Sequence, residues 1–419
     1  MLMAAMLLFG QIDAPRYIFV NNAPGIVWNQ NRPESITRAA FDDIHETVRA
    51  PENTQLRLGM SFVWSTLPSP PETTAAGVKR FLALSEETGM PVLVNFDVCN
   101  WWEQRPDLWN WWDPAQPGYD PKNAENVEWT AWTPDTAVKV CWRNWGSQLR
   151  VAPAPNLMSP RVMAAQLDGL RPALAAVAAW YQALPEDRRW LLGGVKLGHE
   201  ASIGVNAFHY PDGNTLLEKY PTDTSHDPTT GFQPKQGWHG GLAVLGHAAL
   251  KSAGLKDSGE VTAADVAEVV RRHLEMLCRA AHDAGLPKDV VYTHEGGTFA
   301  PWEKNLPFAP AFNEYANPGW SFYGVDPSRV AQLRQELDQP GRGRWAAVEW
   351  WWGGADKEAW MAHFRSALDF RDCRFIDVYN WNCGYELRKE VAGLEALREL
   401  IASWHPSKTS SADSQTTPH

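Results

Sequence analysis

The sequence lacks several features that mark common classes of protein. It has no dense run of Lys and Arg, and its formal net charge is −11, which argues against a nucleic-acid partner. It has no GxGxxG and no GxxxxGK[ST] segment, so neither signature loop for dinucleotides or phosphates is present. Beyond the N-terminal region, no stretch approaches the ~20 apolar residues of a membrane span. We therefore expect neither nucleic acid nor a membrane as a partner.

Metal-binding patterns are equally scarce. The five cysteines form no CxxC pair, so the sequence indicates neither a zinc ribbon nor a disulfide scaffold. Cys99 and Cys141 could bridge the two ends of one long loop, which their spacing does not decide. No HxH pair falls on an early strand, which disfavours a metal-dependent hydrolase. We predict no metal and no cofactor, and the sequence gives no indication of oligomeric state.

Tryptophan, in contrast, is abundant, with 23 residues in 419. Its flat face stacks well on sugar rings and its indole N–H donates a hydrogen bond. The alternative is a large aromatic core. Nine tryptophans cluster in one segment: Trp101, Trp102, Trp109, Trp111, Trp112, Trp129, Trp132, Trp142 and Trp145. We expect most of them to pack that segment and a few to face a carbohydrate-binding groove.

Short apolar runs alternate with helical patterns along the chain, which is typical of parallel α/β architecture. Eight candidate strands cover 17–21, 56–62, 91–97, 193–199, 289–294, 320–325, 344–350 and 374–380. Candidate helices cover 33–50, 72–88, 159–184, 262–284, 326–337, 355–370 and 385–404. Eight such units predict a closed (β/α)₈ TIM barrel. An open doubly wound sheet, which usually carries a Gly-rich phosphate loop, is the alternative.

The domain organisation follows from this pattern. A single catalytic barrel is predicted over 17–405, followed by a Ser/Thr-rich, disordered tail over 406–419. Residues 1–16 are interpreted as a remnant signal segment or an N-terminal cap. The apolar stretch there has the length of a signal-peptide core, although it lacks a positive start and a small-residue cleavage site. We expect an exported protein.

Two connections are unusually long, 98–158 after the third strand and 201–261 after the fourth. Loops of such length in a compact domain are usually functional. In a barrel both would lie on the C-terminal face, where active sites are built.

Two glutamates stand where predicted strands end. The fourth strand, GGVKLGHEAS, ends at Glu200, and the seventh, RWAAVEWWWGG, contains Glu349. A carboxylate after an apolar run would be costly if it were simply buried. Hydrolysis of a glycosidic bond needs one carboxyl that protonates the leaving oxygen and another that attacks or activates water. The alternative for each is a salt bridge or a helix cap at the barrel rim.

This placement resembles that of clan A, a large group of retaining glycoside hydrolases with a (β/α)₈ barrel. The resemblance covers about 17–404 and implies that Glu200 is the acid/base and Glu349 the nucleophile. It also implies a tyrosine partner for the nucleophile, for which Tyr323 is the candidate. The eighth strand, IDVYNWN, is similar to the clan's, where a tryptophan near Trp381 floors the subsite of the cleaved sugar.

One residue departs from the clan pattern. The clan usually places asparagine before the acid/base, where it binds the sugar 2-hydroxyl, and this chain has His199 there. The departure puts that contact in doubt. Glu295, in the segment THEGG after the fifth strand, is the alternative partner of Glu200 if the strand numbering is shifted.

Further side chains are expected to contact substrate because they lie at strand ends or in the long loops. They are Asp97, Trp101, Trp102, His199, Asn206, His294, Glu295, Tyr323, Trp350, Asn380 and Trp381. The segment around Asn206 could alternatively be an ordinary turn or a cation site.

The sequence thus predicts a retaining glycoside hydrolase that cleaves β-glycosidic bonds of a poly- or oligosaccharide with two glutamates. The alternative is a non-catalytic carbohydrate-binding barrel in which the glutamates only accept hydrogen bonds. The separation of the two carboxyl groups distinguishes these hypotheses.

Overall fold

The computed structural model describes residues 15–99, 101–139, 153–200, 245–296 and 308–405. For 141–142, 151–152, 206–209 and 241–244 it describes the backbone alone. Residues 1–14 of the predicted N-terminal segment 1–16, the predicted tail 406–419 and the side chains of Cys141 and Asn206 lie outside the described residues.

Eight parallel strands form one sheet, as predicted. They are β1 Arg16–Asn22, β2 Leu56–Ser65, β3 Val92–Asp97, β4 Leu192–Gly198, β5 Val291–His294, β6 Gly319–Tyr323, β7 Arg344–Trp351 and β8 Asp372–Val378. Each predicted strand overlaps an observed one, and the differences at the ends are a few residues.

The sheet closes into a barrel. Neighbouring strands pair in chain order from β1 to β5, and β8 pairs with both β7 and β1. Between β5 and β6 the Glu295 N–H donates to the Gly319 carbonyl at 3.1 Å, and the Thr293 N–H donates to the Asn317 carbonyl at 3.0 Å. The predicted (β/α)₈ barrel is confirmed, and the open sheet is excluded.

In the described part of the chain, seven helices pack outside the barrel: α1 Ala39–Val48, α2 Pro71–Thr88, α3 Pro160–Ala183, α4 Ala263–Asp283, α5 Ala331–Leu337, α6 Lys357–Leu368 and α7 Val391–Ser403. Local signals set their ends. Gly89 ends α2 with φ of +69°. Thr262 and Asp265 form a reciprocal capping box at the start of α4. Within the described residues, no helix is long and apolar enough to cross a membrane.

The long connections after β3 and β4 carry structure of their own. Their described residues include two short helices, Pro106–Trp109 and His247–Ser252. The backbones of the two connections also pair in a small antiparallel sheet with the order Val151–Ala152, Cys141–Trp142, Asn206–His209 and Gly241–Val244. The two connections therefore pair with each other beside the barrel.

The apolar core has two layers. The larger one fills the space between the strands and the helices. The smaller one lies inside the barrel and consists of Tyr17, Phe19, Leu93, Tyr292, Ala346, Val348 and Phe375. Phe19 sits against Gly59 and Gly193, where an added Cβ atom would collide with its ring. The two glycines therefore make room for a large aromatic side chain in the barrel interior.

Candidate active site

The side chains that face the barrel interior change from apolar to polar toward the carboxyl ends of the strands. Because alternate residues of a strand point to the same face, the interior can be followed two residues at a time. Toward the carboxyl end, β1 runs through Tyr17, Phe19 and Asn21, β3 through Leu93, Asn95 and Asp97, and β8 through Phe375, Asp377 and Tyr379. All strands are parallel, so these polar positions share one end of the barrel.

Glu349 lies at that end, on β7, with its side chain 12% exposed. Lys196 on β4 donates to its Oε1 at 3.1 Å. The hydroxyl of Tyr323 on β6 donates to its Oε2 at 2.8 Å. Each carboxylate oxygen thus accepts a hydrogen bond, and the two donors fix the orientation of the group.

His294, on β5, connects the two predicted catalytic glutamates. Its Nδ1 accepts the backbone N–H of Glu200 at 3.3 Å, so the proton is assigned to Nε2. Nε2 lies 2.8 Å from Ser321 Oγ and 3.8 Å from Glu349 Oε1. This residue therefore fixes the backbone of one glutamate and faces the carboxylate of the other.

Glu200 is the second residue after β4 and has φ of +40°. Residues that carry a side chain adopt this left-handed region uncommonly, and such backbone is often held at functional sites. Gly296 faces it, because a Cβ atom there would lie 3.0 Å from the Glu200 Cβ. The glycine leaves room for the glutamate beside β5.

The two glutamates converge. One carboxylate oxygen from Glu200, one from Glu349 and a ring nitrogen of His294 all lie within 4.8 Å of one another. Glu200 and Glu349, which the sequence places at the fourth and seventh strands, therefore lie close together in space.

Asp97 and His199 form a second polar pair beside the glutamates. His199 Nδ1 and Asp97 Oδ2 are 2.5 Å apart, and both residues are buried. Burial opposes ionisation of Asp97. However, the adjacent His199 ring, the Cys99 N–H and Lys196 together hold the pKa of Asp97 below its ordinary value. The histidine that replaces the clan's asparagine is thus anchored by a carboxylate.

Two tyrosines border the site. Desolvation and the carboxylates of Glu349 and Glu200 raise the pKa of Tyr323 well above its usual range. Desolvation, Glu349 and Asp377 do the same to the pKa of Tyr379. Both phenols therefore stay protonated donors. Tyr323 is 38% exposed, so part of its side chain is accessible from the barrel mouth.

A buried polar layer lies beneath the glutamates. Ser61 Oγ donates to Asp377 Oδ1 at 2.6 Å, and Asn95 Nδ2 donates to Oδ2 at 2.9 Å. Burial raises the pKa of Asp377 to about 7, and Glu349 adds to the increase, against the opposing effects of Lys196 and the two donors. This carboxyl titrates near neutral pH.

Three predicted tryptophan contacts are not supported by their positions. Trp350 is fully buried and stacks on Phe364 of α6, because adjacent residues of β7 point to opposite faces. Trp381 is also buried, and its indole donates to Asp43 on α1 at 2.8 Å. Trp102 is buried too, and its indole donates to the Pro153 carbonyl.

The other predicted residues divide between site and surroundings. Glu295 is fully buried and directly follows His294. Because adjacent residues of an extended chain point to opposite faces, its side chain points away from the face that His294 occupies. The geometry therefore favours Glu349 as the partner of Glu200. Trp101 is 38% exposed in the long loop. Asn380 directly follows Tyr379 after β8, and its N–H donates to the Tyr385 carbonyl.

Sequence reasoning missed Lys196, Ser321, Asp377 and Tyr379. A signal existed for three of them. Lys196 is a lone cation inside the apolar run GGVKLG, and Asp377 and Tyr379 continue the inward series that starts at Phe375. Ser321 follows a register shift between β6 and β7, which a sequence pattern does not reveal.

Fold and site together define a barrel with a carboxylate pair at the carboxyl ends of its strands. No known family model matches this chain, and no curated protein matches it. Solved structures do match over most of the chain. One is a glycoside hydrolase family 5 enzyme from Prevotella bryantii B14, with 9% identity, a TM-score of 0.41, and coverage of 93% of this chain and 96% of that one.

Another is a xyloglucan-specific beta-1,4-glucanase of family 5 from a ruminal metagenomic library, with 8% identity, a TM-score of 0.41, and coverage of 92% and 90%. A dihydropteroate synthase from Coxiella burnetii also matches, with 13% identity, a TM-score of 0.29, and coverage of 93% and 94%. At such values these likenesses say nothing about the reaction. The fold assignment rests on the strand pairing of the chain itself.

Proposed function

We propose that this protein is a retaining glycoside hydrolase that cleaves β-glycosidic bonds of an oligo- or polysaccharide. The observation that carries the proposal is the approach of a Glu200 carboxylate oxygen to one of Glu349 within 4.8 Å. Retaining enzymes hold their two carboxyl groups roughly 5–5.5 Å apart, whereas inverting enzymes need about 6.5–9.5 Å to admit a water molecule. The distance favours direct attack by one carboxylate.

Glu349 is the nucleophile in this proposal. Lys196 and Tyr323 each donate to one of its oxygens, so the carboxylate is oriented before substrate arrives. Attack of a Glu349 oxygen on the anomeric carbon forms a glycosyl ester, while the bond from that carbon to the leaving oxygen breaks.

Glu200 is the acid/base. It gives its proton to the leaving oxygen in the first step and takes a proton from water in the second. The water oxygen then bonds to the anomeric carbon, and the ester bond to Glu349 breaks. Because His294 holds the Glu200 backbone, the carboxyl is kept close to the bond that it serves.

The surrounding groups suit a sugar ring. The Asp97–His199 pair can bind hydroxyl groups, and the phenols of Tyr323 and Tyr379 supply donors and flat faces. Tyr379 takes the position at the end of β8 where the resemblance had suggested Trp381.

A metal-dependent reaction is the second candidate, since Glu200, His294 and Glu349 bring ligand atoms close enough to hold an ion. The hydrogen bonds of His294 argue against it. One ring nitrogen accepts the Glu200 N–H and the other faces Ser321, so metal binding would break one of these contacts. We therefore assign His294 a positioning role.

Chemical rescue tests the proposal. A screen of aryl β-glycosides first identifies a sugar that the enzyme hydrolyses. On that substrate, with an activated leaving group, Glu349→Ala should be inactive and should regain turnover with azide, because the small anion occupies the vacated space. Glu295→Ala is the control and should not need azide. An absence of rescue in a folded Glu349→Ala variant, or an absence of hydrolysis with retained sugar binding, would favour a binding protein.

A further inference from the structure

A buried lysine crosses the barrel interior to the candidate nucleophile. Lys196 points inward from β4, its side chain is 2% exposed, and its Nζ lies 3.1 Å from Glu349 Oε1 on β7. Strand β4 also carries Glu200 at its end, four residues later. One strand therefore supplies both the acid/base and a cation for its partner.

The charged and titratable groups around Lys196, Glu349 and Asp97 come from several strands. They are Asp97 on β3, His199 and Glu200 after β4, His294 on β5, Tyr323 on β6, Glu349 on β7, and Asp377 and Tyr379 on and after β8. Among them, Glu349 is the one with which Lys196 makes a direct ion pair. Lys196 Nζ lies 5.7 Å from the centre of the Tyr379 ring.

An ammonium in this position has a strong effect for two reasons. Burial limits screening by water and salt, so the attraction is larger than at a surface. An opposite charge within ~4–6 Å favours the ionised form of a carboxyl. A neighbouring carboxylate such as Glu200 acts in the other direction when it is ionised, because like charges disfavour a second anion in the same site.

We propose, on the basis of the function proposed above, that Lys196 is a positioning residue whose buried ion pair holds the Glu349 carboxylate in place for attack. Lys196 stays beside Glu349 throughout the cycle. In the first step it faces an anion that becomes a neutral ester, and in the second step it stabilises the carboxylate that leaves the sugar. It therefore serves both steps without contacting the substrate.

The pH profile of kcat/KM tests this role, because its acidic limb reports the ionisation of the essential carboxylate in the free enzyme. In Lys196→Met the acidic limb should move to higher pH by about one unit or more. Activity should fall most at acidic pH and recover in part as the pH rises. Lys196→Arg retains the charge and should keep the limb near its original position.

Asp377→Asn is the matched control. It lies in the same buried layer, and since burial raises its pKa to about 7, it carries little charge in acid. The acidic limb of the pH profile of Asp377→Asn should stay where it is in the wild type. An unchanged limb in folded Lys196→Met, or an equal displacement in Asp377→Asn, would overturn the proposal.

A second measurement covers the possibility that Lys196→Met folds poorly. Thermal unfolding of Lys196→Met, Glu349→Gln and the double variant forms a cycle that isolates the pair. If the ion pair exists, removing both charges should restore Tm relative to Lys196→Met alone. If the Tm losses of the two single variants simply add in the double variant, the proposed ion pair is contradicted.

The two proposals can fail separately. If azide rescues Glu349→Ala but Lys196→Met leaves the limb unchanged, the enzyme assignment stands and the role of Lys196 falls. If azide rescue fails while the unfolding cycle shows coupling, the ion pair stands and the hydrolase assignment falls.

Discussion

The two ends of the barrel interior are built on opposite principles. The amino-terminal end is filled by Leu93 and by four aromatic residues, Tyr17, Phe19, Tyr292 and Phe375, whose rings stack or meet edge to face. The carboxyl-terminal end, one or two residues further along the same strands, carries buried carboxylates, a lysine and histidines. The change takes place within single strands, for example between Phe375 and Asp377.

This difference separates stability from chemistry. Burying aromatic side chains stabilises the fold by removing apolar surface from water. Burying charges is costly unless they are paired. A barrel that needed only stability could fill both ends with apolar side chains. The polar side chains at the carboxyl-terminal end therefore indicate a functional site. The predictions below test that division, from the largest expected effect to the smallest.

Removing Glu349 should have the largest effect. In Glu349→Ala, kcat should fall on the order of 10⁴-fold or more, because no group replaces the lost nucleophile. Glu295→Ala, one residue beyond His294 on the other face of the strand, should retain most of its turnover per folded molecule. Equal losses in the two variants would contradict the assignment of Glu349 over Glu295.

Phe19→Ala tests the opposite end. The ring is fully buried against Phe375, Gly59 and Gly193, so its loss should lower the free energy of unfolding by about 3–5 kcal/mol. Urea unfolding measures the loss, and kcat/KM of the folded fraction should change little. A large fall in kcat/KM with little loss of stability would show that the two ends are not separable in this way.

Asp377 gives the polar end a pH signature in stability. Its pKa is about 7 in the folded protein, against ~3.9 for an unfolded aspartate. Between these values the folded state binds a proton that the unfolded state has lost, so stability falls as pH rises from about 4 to about 7.

Relative to Asp377→Asn, the wild type should therefore lose up to about 4 kcal/mol across that range. Urea unfolding at pH 4.5 and pH 8 compares the two proteins. Parallel stabilities at both pH values would contradict the titration of Asp377 in this range.

The smallest effect is expected from metal removal. Treatment with EDTA followed by its removal should change kcat/KM by less than about twofold, since a catalytic ion would supply several kcal/mol of transition-state stabilisation. A loss of activity that Zn²⁺ or Mn²⁺ restores would move Glu200, His294 and Glu349 from acid–base chemistry to metal binding.

The barrel was predictable because its signals are local. Apolar strands, helix stops such as Gly89 and the capping box at Thr262 each depend on a few neighbouring residues. Eight repetitions of the pattern predict closure without knowledge of any contact. The convergence of Glu200 and Glu349 followed from their positions on the fourth and seventh strands.

The orientation of individual side chains was less predictable. The pairing register between β7 and β8 shifts between Ala347 and Trp350. For this reason the alternation of residues in the sequence does not decide which of Glu349, Trp350 and Trp351 faces inward. Trp381 points to Asp43 for a similar reason, since its direction is set after the strand has ended. Lys196 was overlooked because its partner is 153 residues away in the chain.

The central claim is that Glu349 becomes covalently bonded to the sugar. A 2-deoxy-2-fluoro β-glycoside of the sugar that the enzyme hydrolyses, with a good leaving group, should slow the second step and trap the ester. Peptide mass analysis should then find the added sugar on the peptide that contains Glu349, at one sugar per chain. Label on the peptide containing Glu295, or hydrolysis with inversion and no trapped ester, would contradict the account.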